Sequence, residues 1–254
     1  MSEKTATSKP DTVYLFGTCL IDLLYPQAGV ATVKLLQHAG VRIIYPQAQT
    51  CCGQPAWNSG YREQALAVAR AQLELFPKPI PIIVPSASCA RMMKFQYARL
   101  FAGQPDEAEA RKVASRVYEL SGFLVDELNI QLHDSGAPLR VAVHTSCSAR
   151  REMAVANKIP ELLKHLHNVD AVEPQHAEEC CGFGGTFAIK QPEISAAMVL
   201  EKCRHICATG AQQLVSQDYG CLMNIGSALE KQGVALAHQH IAEFLWERIQ
   251  DRDP

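Results

Sequence analysis

The chain has 254 residues, 48% hydrophobic and 20% charged, enough for two ordinary domains that each bury a core. Its 24 Lys and Arg against 26 Asp and Glu leave a formal charge of −2, which provides no basic footprint for nucleic acid or for an anionic membrane surface. Ten cysteines in a chain with no secretory features point away from a disulfide scaffold and toward metal or redox chemistry.

In chain order, residues 1–11 read as a disordered tail: MSEKTATSKP is polar and has no apolar h-region, so it is not a secretory signal. A first module is expected over residues 12–103. Val13–Phe16 reads as a strand ending just before Cys19. Gly29–Ala39 carries apolar residues at helical spacing, and Val41–Ile44 then reads as a second strand feeding Cys51-Cys52-Gly53. Gln64–Leu75 is a second helix and Pro81–Val84 a third strand leading to Cys89. Residues 104–138 are expected as a helical linker. The second module, residues 139–254, repeats the order with strands at Leu139–Val143, Ala171–Val172 and Gln213–Val215, and helices at Ile159–Leu166 and Ile194–Ala208. The longest apolar runs, such as Pro79–Pro85, fall far short of the ~20 residues of a membrane helix, so no transmembrane segment and a cytoplasmic location are expected.

The cysteines mark a duplication. Gly17-Thr18-Cys19, Cys51-Cys52-Gly53 and Ser86-Ala87-Ser88-Cys89 recur as Thr145-Ser146-Cys147, Cys180-Cys181-Gly182 and Asp218-Tyr219-Gly220-Cys221. The offsets are 128, 129 and 132 residues (19 to 147, 51 to 180, 89 to 221), and Tyr45-Pro46-Gln47 before the first pair is matched by Glu173-Pro174-Gln175 before the second. The expected fold is α/β: two tandem, pseudo-twofold-related Rossmann-like modules with mostly parallel sheets flanked by helices. Each landmark then follows the carboxyl end of a strand, where loops of open α/β sheets converge on one crevice.

Each module supplies four thiols: Cys19, Cys51, Cys52 and Cys89, then Cys147, Cys180, Cys181 and Cys221. Four thiolates suit an iron–sulfur cluster or tetrahedral zinc. Side chains of adjacent residues tend to point apart, so a vicinal pair fits one compact ion poorly and a several-iron object better. Gly53 and Gly182 allow a tight turn that brings backbone amides to the sulfurs. Structural zinc, disulfides and inert buried thiols are the alternative readings.

These motifs carry a resemblance. Over residues 12–245 the chain resembles the CCG, or cysteine-rich, domain family, found in heterodisulfide reductase, in the iron–sulfur component of glycolate oxidase and in the lactate-utilisation A proteins. Cys51-Cys52-Gly-Gln-Pro-Ala-Trp-Asn-Ser-Gly-Tyr61, Cys180-Cys181-Gly-Phe-Gly-Gly-Thr-Phe187 and Cys221-Leu-Met-Asn-Ile225 look most like the last group. The resemblance implies one [4Fe–4S]-type cluster per module, held by the eight repeated cysteines. It also implies an electron-transfer subunit of a complex oxidising L-lactate to pyruvate, an oxidoreductase subunit inactive without its partners. Those partners would be a ferredoxin-domain iron–sulfur protein and a further subunit, with a small 2-hydroxy acid as the substrate of the whole. A heterodisulfide-reductase-like thiol/disulfide redox subunit and a non-enzymatic zinc-stabilised interaction module are the alternatives. The chain departs from the fullest motif, Cys-x-x-Cys, in having Ser86 and Asp218 where a fifth thiol stands. Cluster geometry, cubane or non-cubane, or with an oxygen from Asp218, is therefore open.

No ferredoxin cysteine run, dinucleotide glycine fingerprint, serine elbow, HExxH or P-loop is found in the sequence, so the acceptor for a substrate hydride is expected on a partner, and no catalytic side chain is assigned. Cys203 and Cys207 lie outside the repeat and read as buried small hydrophobes. His144 could tune a cluster or cap its strand, and His240 reads as a satisfied terminal or core histidine. Arg91, Arg150 and Arg151 could bind a carboxylate or face solvent, and Met92, Met93 and Met223 read as packing.

Overall fold

The structure, a computed structural model, describes residues 9–250. Residues 1–8 of the expected tail lie outside them. The first module has four strands, β1 (Thr12–Leu15), β2 (Arg42–Ile44), β3 (Ile82–Val84) and β4 (Val117–Glu119), in the order β2-β1-β3-β4. The second has β5 (Leu139–His144), β6 (Val169–Val172), β7 (Gln213–Ser216) and β8 (Ala237–His240), in the order β6-β5-β7-β8. Every pairing is parallel, and β1 and β5 occupy the same place in their sheets. The α/β reading with tandem parallel modules is therefore correct.

Both fourth strands escape the sequence pattern. β4 is Val-Tyr-Glu and β8 is Ala-His-Gln-His, too short and too polar to show alternation. They are strands because β3 and β7 each offer a free edge whose backbone groups they satisfy, Ile82 to Val84 pairing with Val117 to Glu119 and Gln213 to Ser216 with Ala237 to His240. The segment 104–138, expected as a helical linker, contains β4 along with the helix Glu107–Ser115 and a π-helical turn at Phe123–Glu127.

Helices cover the sheets. Pro26–His38 and Pro192–Cys207 each begin with proline in the first turn, where its missing N–H removes no intrahelical bond. The two modules share a hydrophobic core: Val13, Leu35, Leu36 and Phe123 pack with Val141, Ile159, Val215, Ile241 and Phe244. Helix Pro26–His38 of the first module lies on helix Ile241–Ile249 of the second. The two sheets are thus fixed against each other, and their switch-point loops meet at the junction.

Candidate metal centre

In strand order β2-β1-β3-β4 the chain reverses direction across the sheet between β1 and β3, and loops leaving the carboxyl ends there splay apart to form a crevice. Cys19 opens the helix Cys19–Leu24 after β1, Cys51 and Cys52 sit in the loop after β2, and Cys89 lies in the helix Ala87–Arg91 after β3. The second module repeats this: Cys147 opens the helix Cys147–Arg151, Cys180 and Cys181 follow β6 by a loop, and Cys221 lies in the first turn of the helix Tyr219–Lys231. All eight line one cleft of about 370 Å³ at the module junction. Sequence order brings each set of four to its own crevice; the shared core turns the crevices toward each other.

The vicinal turns are built alike. Gly53 (φ 89°) and Gly182 (φ 81°) are left-handed, a region where a side chain is disfavoured. Their N–H groups donate to Cys51 Sγ and Cys180 Sγ, each at 3.4 Å. Tyr97 Oη donates to the Cys52 carbonyl at 3.2 Å, and Asn224 Nδ2 to the Cys181 carbonyl at 2.7 Å, so in both modules the helical segment after the last cysteine holds the vicinal turn. Nothing in the spacing of Tyr97 or Asn224 signals this role.

Within each set the thiols contact one another. Cys51 hydrogen-bonds Cys19 and Cys52, and Cys52 also bonds Cys89. In the second module Cys180 bonds Cys147 and Cys181, and Cys181 bonds Cys221. Donation from Cys19, then from Cys52, holds the Cys51 thiol far below the ordinary thiol range, while the hydrogen bond to Cys51 and burial push Cys19 up. Cys147 is likewise pushed up by its bond to Cys180 and by burial. Four crowded thiols cannot all ionise alone; bound metal cations would take the place of their protons. All ten cysteines are free thiols.

Ser86 and Asp218, at the two positions of the missing fifth thiol, meet across the junction. Ser86 Oγ donates to Asp218 Oδ1 at 2.7 Å, and the Ser88 N–H donates to the same oxygen at 3.1 Å. Ser86 also caps its helix by accepting from the Cys89 N–H, whereas the Asp218 side chain caps nothing and spans the modules instead. Asp218 Oδ1 is thus committed to the first module. Burial raises the Asp218 pKa.

His144, at the end of β5, is 2% exposed, and a ring nitrogen of it lies with Cys181 Sγ and Cys221 Sγ in a group whose atoms are all within 4.8 Å of one another. Burial, then the charges of Lys202 and Arg150, lowers its pKa to about 3, so the imidazole is neutral and able to offer a lone pair. His240 is buried, caps the helix Ile241–Ile249 and contacts the Gln217 carbonyl, as its sequence context suggests. Arg91 lines the cleft but is paired with Glu152, and Arg150 with Glu173. Met92 and Met93 are core residues, and Met223 does not line the cleft. Cys203 is buried against the Ile225 carbonyl, as read from the sequence, but the buried reading fails for Cys207, which is exposed at the last position of its helix; neither lines the cleft.

The donor set fits a metal cluster. Each module presents four soft thiols linked in a chain of contacts, a glycine turn with an amide on one sulfur, and the second adds a buried imidazole with an uncommitted nitrogen. The sequence model of the cysteine-rich domain, CCG, matches residues 13–94 and 141–226, the two stretches that carry these thiols. The chain belongs to the CCG cysteine-rich domain family. It is similar to Lactate utilization protein A of Geobacillus kaustophilus, 44% identical over 236 residues covering 92% of this chain and 98% of that protein. Lactate utilization protein A 2 of Bacillus cereus (strain AH820) is 41% identical over 234 residues, 92% of this chain and 97% of that one. Among solved structures, a hypothetical protein from Helicobacter pylori has a TM-score of 0.64 at 13% identity, a likeness of fold that covers 96% of this chain and spans 50% of that one. No helix among the described residues is long and apolar enough to cross a membrane.

Proposed function

We propose that this chain is an iron–sulfur electron-transfer subunit of a complex that oxidises L-lactate to pyruvate, with Cys19, Cys51, Cys52 and Cys89 holding one [4Fe–4S]-type cluster and Cys147, Cys180, Cys181 and Cys221 another. The observation that carries the reading is the convergence of two four-thiol sets on one cleft. A single zinc ion per set would leave the vicinal pair poorly used, whereas a cluster with several irons takes one thiolate per iron. The lactate assignment rests on the names of the relatives. Oxidising a 2-hydroxy acid to a 2-oxo acid releases two electrons and two protons. Two one-electron centres beside one cleft suit onward transfer of that pair, while hydride chemistry belongs to an organic cofactor on a partner. A ferredoxin-domain iron–sulfur protein is the partner that would exchange these electrons.

Anaerobic purification tests the metal: iron and acid-labile sulfide in equal amounts are expected, with visible absorbance. Cys180→Ser or Cys181→Ser should remove about half of the iron, since one of two clusters is lost; Cys203→Ala should remove none. Stoichiometric zinc without iron overturns the cluster reading. Unimpaired growth on lactate after deletion of the gene overturns the lactate assignment.

A further inference from the structure

The two thiol sets are repeats, but what stands behind them is not. His144 is the last residue of β5, three before Cys147. The residue in the same place in the first module, three before Cys19 and just past β1, is Phe16, fully buried and without a donor atom. Packing at this position is therefore satisfied by a hydrocarbon ring. The imidazole in the second module brings a liability: its Nε2 is buried with no hydrogen-bond partner, a desolvation penalty left uncompensated when nothing binds it. The ring is not among the residues lining the cleft, so it stands beneath the thiols. One of its nitrogens, Cys181 Sγ and Cys221 Sγ all lie within 4.8 Å of one another. Asp218, the other buried group beside this set, also has an unpartnered oxygen, Oδ2, but its Oδ1 is engaged by Ser86 and Ser88 of the first module and neither oxygen joins the group formed by His144, Cys181 and Cys221.

We infer that His144 is a fifth protein donor to the iron centre held by Cys147, Cys180, Cys181 and Cys221, so that the second module is a mixed nitrogen–sulfur site and the first a sulfur-only one. The inference rests on the iron–sulfur reading above. A neutral imidazole adds a donor to the iron without adding charge, and ligand identity and the polar groups around a cluster tune its potential. The two centres, equal in thiolate charge, then differ in coordination and so in potential. One residue makes the two duplicated halves unequal.

The test uses the full-length protein purified without oxygen, in parent, His144→Phe and His144→Gln forms. Iron and sulfide are counted, the two reduction steps are titrated, and the reduced state is examined by pulsed paramagnetic resonance with natural-abundance and ¹⁵N-histidine labelled protein. The parent should show the strong coupling of a directly bound imidazole nitrogen, altered by the label. Both variants should lose it, and one of the two potentials should move while the other stays in place. Absence of histidine coupling in the parent overturns the inference whether or not the variants fold. So does the same coupling in His144→Phe, which copies the side chain of the first module. A parent protein that holds no iron sinks the function proposed above; iron present with no histidine nitrogen sinks only the role of His144.

Discussion

Replacing Gly182 with alanine puts the construction of the vicinal turn to a quantitative test. Gly182 has φ 81°, and a Cβ built on it stands 2.7 Å from the Ser195 carbonyl oxygen and 3.2 Å from Met198 Cβ. The left-handed region alone costs an alanine about 1–2 kcal/mol. The contact is with main chain in the helix Pro192–Cys207, so relief requires moving the helix or the turn, and overpacking of this kind adds about 1–3 kcal/mol. The whole cost is ~2–5 kcal/mol, and it falls on the residue whose N–H reaches Cys180 Sγ. Gly53 is the internal control: its φ is 89°, but its Cβ would stand 3.3 Å from the Ala65 carbonyl, a contact that a small shift relieves. Gly53→Ala should therefore cost only the conformational part, ~1–2 kcal/mol. The assay is the denaturation midpoint together with iron per chain. Gly182→Ala should lower the midpoint more than Gly53→Ala and lose about half of the iron, the share of the second module. Full iron with an unmoved midpoint in Gly182→Ala, or Gly53→Ala as the more damaging change, refutes the reasoning.

Two further predictions concern buried carboxylates. Glu119 is 1% exposed, its Oε2 accepts from the Ser121 hydroxyl and the Gly122 N–H, and burial raises its pKa to about 7 from 4.5. The folded protein keeps this proton at pH values where the unfolded chain has lost it, so stability declines as pH rises from about 4.5 to 7, by ~3 kcal/mol. Glu119→Gln should flatten that slope and be the more stable protein above about pH 7 in denaturant titrations; equal slopes for the two proteins would refute it. Asp134 is paired with Arg248, whose side chain is 8% exposed while its own is fully buried. Asp134→Ala leaves a buried guanidinium unmatched and should cost ~3–5 kcal/mol in the same titration, and a loss below ~1 kcal/mol would show that the pair is solvated.

Six of the eight strands were legible because β1, β2, β3, β5, β6 and β7 are runs with branched apolar residues, though β6 was foreseen only as Ala171–Val172 within Val169–Val172. β4 and β8 were not, since a neighbouring edge and not their composition makes them strands. The eight cleft cysteines were legible through their repeated register, and Cys203 and Cys207 were separated from them by the same register. The Ser86–Asp218 contact was not legible: each residue is a departure from the motif within its own half, and their meeting depends on how the halves dock. Tyr97, Asn224 and the direction in which His144 faces were invisible because each contact, though inside one module, joins residues far apart in sequence that only the packed fold brings together.

The sequence by itself determined the duplication, the parallel α/β class and the pairing of four thiols with each module, because periodicity, turn glycines and cysteine spacing are local properties that survive without a structure. The tertiary structure decided that the two thiol sets share one cleft, that Asp218 serves the opposite module, and that an imidazole stands behind one set and a phenyl ring behind the other. The shared cleft and the reach of Asp218 are consequences of burying Leu35, Leu36, Phe123, Val141, Ile241 and Phe244 in one common core, since hydrophobic burial is non-directional and fixes where two modules meet without any trace in the spacing of the residues that meet there; which ring backs each thiol set is settled by packing inside each module.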